Sequence, residues 1–176
     1  GKFFKNLLSE AKMKEKRVVV SVAESRVYSR ILTMPQMSEA ELASAIKWEA
    51  EQFVPIPVSE VELDFSILEQ QIAGESDKKM LVYLVAAPKT YLQALVDFLT
   101  SLGLEPIAVE SEMVAVSRAL TYGANANTSL VLHMGAMSSV LAIVDGTSLS
   151  FSYVTESGGV AMTRALAQSL SLPLPQ

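Results

Sequence analysis

The stretch Ala45-Ile46-Lys47-Trp48-Glu49-Ala50-Glu51-Gln52-Phe53-Val54-Pro55-Ile56-Pro57 carries a helix to its end and breaks it. Proline lacks an amide hydrogen and restrains the residue before it, so Pro55 and Pro57 stop the helix near Phe53. Upstream, Ser38 followed three residues later by Glu41 makes a capping box, which sets the start. At about 100° per residue, Leu42, Ile46, Ala50 and Phe53 then share one apolar stripe. Trp48 falls about 150° from the centre of that stripe, beside Glu41, Ser44, Glu51 and Gln52. A Trp on the far face calls for a second surface, with a neighbouring subdomain, a partner or bare solvent as the alternatives. Glu49 is the opposite anomaly, a carboxylate inside the stripe.

Working outward, Arg17–Ala23 is a Val-rich strand and Arg26–Met34 a second one. Alternation on the second strand puts Arg30 on the side of Tyr28, Leu32 and Met34. An inward Arg30 and an inward Glu49 predict a buried salt bridge that fixes the helix on the sheet rather than doing chemistry. Val61–Leu68 alternates, with Val61, Leu63, Phe65 and Ile67 on one face and Glu62, Asp64 and Ser66 on the other, a half-buried strand. The polar turn Ala73–Lys79 leads into Met80–Ala87, apolar on both faces. Residues 26–87 therefore read strand, helix, strand, strand, with a hairpin between the last two.

The flanks are equally patterned. Phe3, Phe4, Leu7, Leu8 and Ala11 recur at helical spacing, which fits a helix packed on a sheet better than a short basic membrane-surface helix. Helical spacing returns at Tyr91–Leu102, capped by Gly103, followed by a strand Leu104–Val109 and a helix Ser111–Tyr122. Gly123–Thr128 is small and polar, a linker. Strands Leu130–Met134, Ser138–Val144 and Ser148–Val154 follow, the last two joined by Asp145-Gly146, and Gly158-Gly159 opens the last helix. The class is α/β, with a new domain starting after the linker.

Composition removes several kinds of function. The chain has 176 residues, no Cys and one His, His133. Disulfides, thiolate catalysis, zinc–thiolate sites and multi-histidine metal sites are thereby excluded, and no Ser/His/Asp order can be defended around a single His. Net charge is −5, although Lys2, Lys5, Lys12, Lys14, Lys16 and Arg17 crowd the first segment, so there is no electrostatic footprint for nucleic acid. No apolar run approaches the roughly 18 residues of a membrane span. The chain begins Gly-Lys-Phe-Phe-Lys without Met and ends Leu-Pro-Leu-Pro-Gln, so both ends read as cuts from a longer protein.

The block Ala45–Pro57 resembles the hallmark segment of the PilM family, actin-like cytoplasmic proteins of type IV pilus assembly. Arg30-Ile-Leu-Thr-Met-Pro35 with Ser38-Glu-Ala-Glu-Leu42, Leu84-Val-Ala-Ala-Pro-Lys89, Gly103-Leu-Glu-Pro106, Val109-Glu110 and Gly158-Gly159-Val-Ala-Met-Thr163 resemble that family's other segments in order and spacing. The resemblance implies a partial actin-like (FtsA/PilM-like) fold. Residues 1–25 and 88–124 would be part of subdomain 1A, 26–87 the inserted subdomain 1C, and 129–176 the start of subdomain 2A. It implies a non-enzymatic scaffold, peripheral to the inner membrane on its cytoplasmic side. This scaffold would bind the N-terminal cytoplasmic peptide of PilN between 1A and 1C and so join the pilus inner-membrane complex. Trp48, Gln52, Phe53 and Pro55 are the candidate contacts, and a sheet with missing edges would favour self-association.

Actin-like folds hold ATP between two phosphate loops with an acidic residue on Mg²⁺. The resemblance places the first loop before Lys2 and the second at His133-Met-Gly135-Ala-Met-Ser138-Ser139, with Gly158 and Gly159 beyond it. His133 stands where the family has Asp and cannot replace it on Mg²⁺, and Met137 is bulky, so the loop reads as vestigial: no cofactor and no catalytic residue are expected. Glu110 and Glu112, at a strand–helix junction, read as a helix start. The competing readings are an actin-like ATPase, the actin-like cytoplasmic domain of a type II secretion component, and a domain of the same fold with another partner, such as a division protein.

Overall fold

The computed structural model describes residues 1–69, 79–121, 127–146 and 148–173. Its elements in chain order are α1 (Lys2–Glu10), β1 (Arg17–Val22), β2 (Tyr28–Pro35), α2 (Glu39–Phe53), β3 (Val61–Glu69), β4 (Lys79–Pro88), α3 (Lys89–Ser101) and β5 (Glu105–Ser111). They continue with α4 (Glu112–Thr121), β6 (Ser129–Met134), β7 (Ser139–Asp145), β8 (Ser148–Thr155) and α5 (Gly159–Ser169). Among the described residues three sheets form, ordered β1-β5, β2-β4-β3 and β6-β7-β8. The expected elements are present within a few residues. The exceptions are two short 3₁₀ turns, Glu24–Arg26 and Val58–Glu60, the first of which takes Arg26 out of the strand assigned to it. The polar turn expected over 73–79 and the linker over 123–128 lie almost entirely outside the described residues.

The fold of α2 follows its sequence closely. The Ser38 Oγ accepts from the Glu41 amide at 3.4 Å, and the Glu41 carboxylate accepts from the Ser38 amide at 2.9 Å and from its hydroxyl at 2.6 Å. Leu42, Ile46 and Ala50 are buried and Phe53 is half-buried, as the stripe requires. Trp48 on the opposite face is 63% exposed. Arg30 is exposed and Glu49 only half-buried. Alternation did place Arg30 on the face of Leu32 and Met34, which are buried, but that face opens to water at the level of Arg30.

By compactness the chain divides into two units, residues 1–28, 37–65 and 84–112 forming one and residues 29–36, 66–83 and 113–176 the other. In the first, β1 and β5 run parallel, from Arg17 opposite Glu105 to Val22 opposite Ser111, with a bulge at Val18/Val19. Parallel strands need a crossover, and here it is all of the chain between them. One apolar cluster joins Leu99, Leu102 and Leu104 with Phe4 and Leu8 of α1, leaving Phe3 and Leu7 exposed. A second joins Val22, Val27 and Ala87 with Val85, Tyr91, Leu92 and Leu95. Gly103, at φ +83°, closes α3 in a Schellman motif. Its amide donates to the Thr100 carbonyl at 2.9 Å and the Leu104 amide to the Leu99 carbonyl at 3.1 Å.

In the second unit the antiparallel sheet β6-β7-β8 buries Val131, Val140, Ala142, Val144 and Leu149 on one face. Its other face is also apolar and is exposed. The registers align Leu130, Ile143 and Phe151 in one cross-strand row and Leu132, Leu141 and Tyr153 in the next. Such rows stabilise the sheet by lateral side-chain contact.

Removing the cap hydroxyl, Ser38→Ala, is expected to lower thermal stability by about 1 kcal/mol in a melting experiment. The Glu41 carboxyl is held below its ordinary 4.5 by the hydrogen bonds from the Ser38 hydroxyl and then the Ser38 amide. A depressed carboxylate contributes stability above its unfolded value and loses it as pH falls through the folded one. The stability difference between the native chain and Glu41→Gln should therefore shrink as the pH falls below 4.5.

Candidate functional site

Within the first unit a cleft of about 200 Å³ is lined by β1, β3, β4, α3 and β5. Its floor is Val22, Val27, Val85, Ala87 and Leu92, all members of the second apolar cluster, with Val109 beside them. Since these side chains are packed from behind, the floor is preformed and needs little ordering when occupied. Two of its remaining lining residues come from β3, where the period of two turns Glu62 and Asp64 to the same face. Glu110 and Ser111 of β5 complete it. The β3 end is fixed from α3, whose Lys89 Nζ donates to the Ser59 carbonyl at 2.9 Å. Asp64 accepts from the adjacent Phe65 amide at 2.9 Å, and among the described residues no lysine or arginine lines the cleft.

The lining combines an apolar floor with a border of carboxylates. Among the described residues no group of three or more His, Asp or Glu converges as a metal site would. The α2 candidates lie elsewhere. Trp48, Gln52 and Pro55 are exposed and Phe53 is half-buried, and none of the four lines the cleft. The cleft was signalled only by the polar face of the β3 alternation, where Glu62 and Asp64 look like ordinary solvent-facing carboxylates. Glu110, read as part of a helix start, is a cleft residue, whereas Glu112 does open α4.

The loop between β6 and β7 belongs to the second unit, and its backbone is already engaged. The Gly135 amide donates to the Ser138 carbonyl at 2.9 Å, closing the turn. At the start of α5, the Gly159 amide donates to the Gly135 carbonyl and the Val160 amide to the Ala136 carbonyl, each at 2.9 Å. The Ser139 hydroxyl donates to the Ser157 carbonyl at 2.7 Å. These are donors that a phosphate cradle would turn toward its ligand. Gly158 is required by proximity, because a Cβ there would stand 2.6 Å from both the Gly135 and Ala136 carbonyl oxygens. His133 is half-buried on β6 opposite Val140.

A family model described as type IV pilus assembly protein PilM matches residues 2–174. The chain belongs to the PilM family. Among solved structures it is similar to a PilM–PilN type IV pilus biogenesis complex, at 28% identity and a TM-score of 0.83 over 98% of its length. It spans 52% of that PilM-complex chain, about half. It is also similar in fold to the cytoplasmic domain of EpsL, an inner-membrane component of the Vibrio cholerae type II secretion system. That likeness is at 16% identity and TM-score 0.59, over 98% of this chain and 68% of that one. The α/β actin-like fold expected from the Ala45–Pro57 block thus stands, and in this PilM-family chain Gly158 and the β6–β7 loop are a structural joint.

Gly158→Ala tests that joint. The added methyl forces two backbone carbonyls apart, so unfolding should become easier by about 1–3 kcal/mol. Ser138→Ala, which leaves every backbone bond of the turn intact, should change the denaturant midpoint little by comparison.

Proposed function

We propose that this chain is a non-enzymatic scaffold of type IV pilus assembly. It docks the cytoplasmic N-terminal peptide of a PilN-like inner-membrane partner in the first-unit cleft. The observation that carries the reading is the preformed apolar floor from Val22 to Leu92, bordered by strands, in a chain of this family. The similar solved structure is of a PilM–PilN complex, which makes a PilN-like protein the partner to try first. A short peptide held on a rigid floor loses less entropy than one that must order its receptor. No helix of the described residues is long and apolar enough to cross a membrane. In this reading the chain works on the cytoplasmic side of the inner membrane.

Two features support a scaffold over an ATPase. The backbone donors at the start of α5 are occupied by the β6–β7 carbonyls, and His133 is not an Mg²⁺ ligand type. We also assign 26–87 to an inserted subdomain between the two parts of a first subdomain, with 129–176 opening the next. Self-association through the exposed face of β6-β7-β8 is the competing use of apolar surface.

Calorimetric titration of the chain with the N-terminal cytoplasmic peptide of its PilN-type partner tests the docking. Saturable binding is expected, reduced tenfold or more by Val109→Asp, which puts a charge on the cleft floor, and little changed by Trp48→Ala. Loss with Trp48→Ala and not with Val109→Asp would move the site to the exposed face of α2. Titration with ATP and Mg²⁺ should give no turnover, and tight binding with turnover would overturn the scaffold reading.

A further inference from the structure

A second cavity, of about 260 Å³, lies within the second unit among β3, β4, α4 and β8. It shares no lining residue with the docking cleft. Leu68, Val114 and Leu149 give it an apolar wall, and Ser66, Ser117 and Ser148 bring three hydroxyl-bearing residues to it. Among the described residues no Asp, Glu, Lys, Arg or His lines it. The serines stand at graded depth: Ser66 is exposed, Ser148 half-buried and Ser117 only 2% exposed.

Ser117 is the unusual member. Its Oγ is buried and makes no hydrogen bond among the described residues. A helical hydroxyl ordinarily escapes this by donating back to the carbonyl one turn earlier. Thr121, one turn further along α4, does so, its Oγ1 donating to the Ser117 carbonyl at 2.8 Å. Ser117 makes no matching bond to Met113. A buried hydroxyl left unpaired costs free energy that an alanine in its place would avoid. Here that hydroxyl belongs to a residue lining an uncharged cavity. An ion entering it would lose hydration and meet no counter-charge, whereas a neutral polar group would be met by serine hydroxyls, which both donate and accept. The volume lies just under the roughly 300 Å³ at which pockets for drug-sized ligands begin, so the occupant is small. We infer that this cavity is a binding site for a small uncharged molecule, a short branched alcohol or amide. Its apolar body rests on Leu68, Val114 and Leu149, and its polar end takes the Ser117 hydroxyl.

The test titrates isobutanol, isobutyramide and isobutyrate, three probes of nearly one shape, into the isotope-labelled full chain and follows the backbone amide resonances. The two neutral probes are expected to move the Ser66, Ser117 and Leu149 amides saturably in the millimolar range, as befits ligands of so few atoms. Isobutyrate should bind about tenfold more weakly or worse. Ser117→Ala should melt no lower than the native chain, because it removes a hydroxyl that nothing in the fold receives. The same variant should weaken the neutral probes about fivefold, the worth of one neutral hydrogen bond. Absence of a saturable shift with either neutral probe would overturn the inference, as would isobutyrate binding equally well. A Ser117→Ala chain that melts several degrees lower would show that the hydroxyl is already bonded within the fold. Unchanged affinity in that variant would show that the hydroxyl meets no ligand, and either result also overturns it.

Discussion

The first unit depends on one pairing, that of β1 with β5. These strands lie on opposite sides of the whole of 23–104, and their parallel register brings Val22 opposite Ser111. Once that register is set, the side chains of Val22, Val27 and Ala87 meet in one cluster, and Leu92 of α3 packs on it. The cleft floor is the exposed part of that cluster. A slip of one residue would turn every β1 side chain to the other face and remove Val22 from the floor. The cleft is therefore a consequence of long-range strand pairing rather than of any local motif.

The second unit is organised around a different constraint, the closeness of Gly158 to the β6–β7 turn. With no Cβ at that position, the first amides of α5 reach the Gly135 and Ala136 carbonyls. The turn thereby satisfies helix donors that would otherwise need solvent or a ligand. The same three segments, glycine turn, serine strand start and glycine-opened helix, would make an anion site if the amides pointed outward. Here the amides of Gly159 and Val160 are directed at the Gly135 and Ala136 carbonyls.

Features specified by neighbours in the chain were legible in the sequence. Ser38 and Glu41 are one turn apart, Gly103 follows directly on its helix, and the Leu42–Ala50 stripe needs only helical periodicity. The alternation of β3 was legible too, but its meaning was not. Glu62 and Asp64 differ from any solvent-facing pair only because β5 lies across the cleft from them, and nothing local in 61–68 announces β5. Arg30 shows the same limit: alternation fixes the face of a strand, whereas exposure depends on how far along the strand the cover extends. Gly135, Gly158 and Gly159 were read through a resemblance that assigns them to phosphate. Their close approach, which holds the start of α5 to the β6–β7 loop, is a contact across the chain that no local pattern announces.

Trp48 has an optical meaning as well as a chemical one. It is the sole tryptophan of the chain and stands 63% exposed on the face of α2 that its apolar stripe does not use. Its indole therefore emits from a wet environment, and no second fluorophore of its kind obscures it. Any body that covers the outer face of α2 would shift that emission to shorter wavelength and shield it from soluble quenchers. An occupant of the cleft, lined by other elements, would leave it nearly unchanged. The residue that first drew notice as an unexplained aromatic is thus a built-in reporter of which surface of the molecule is in use.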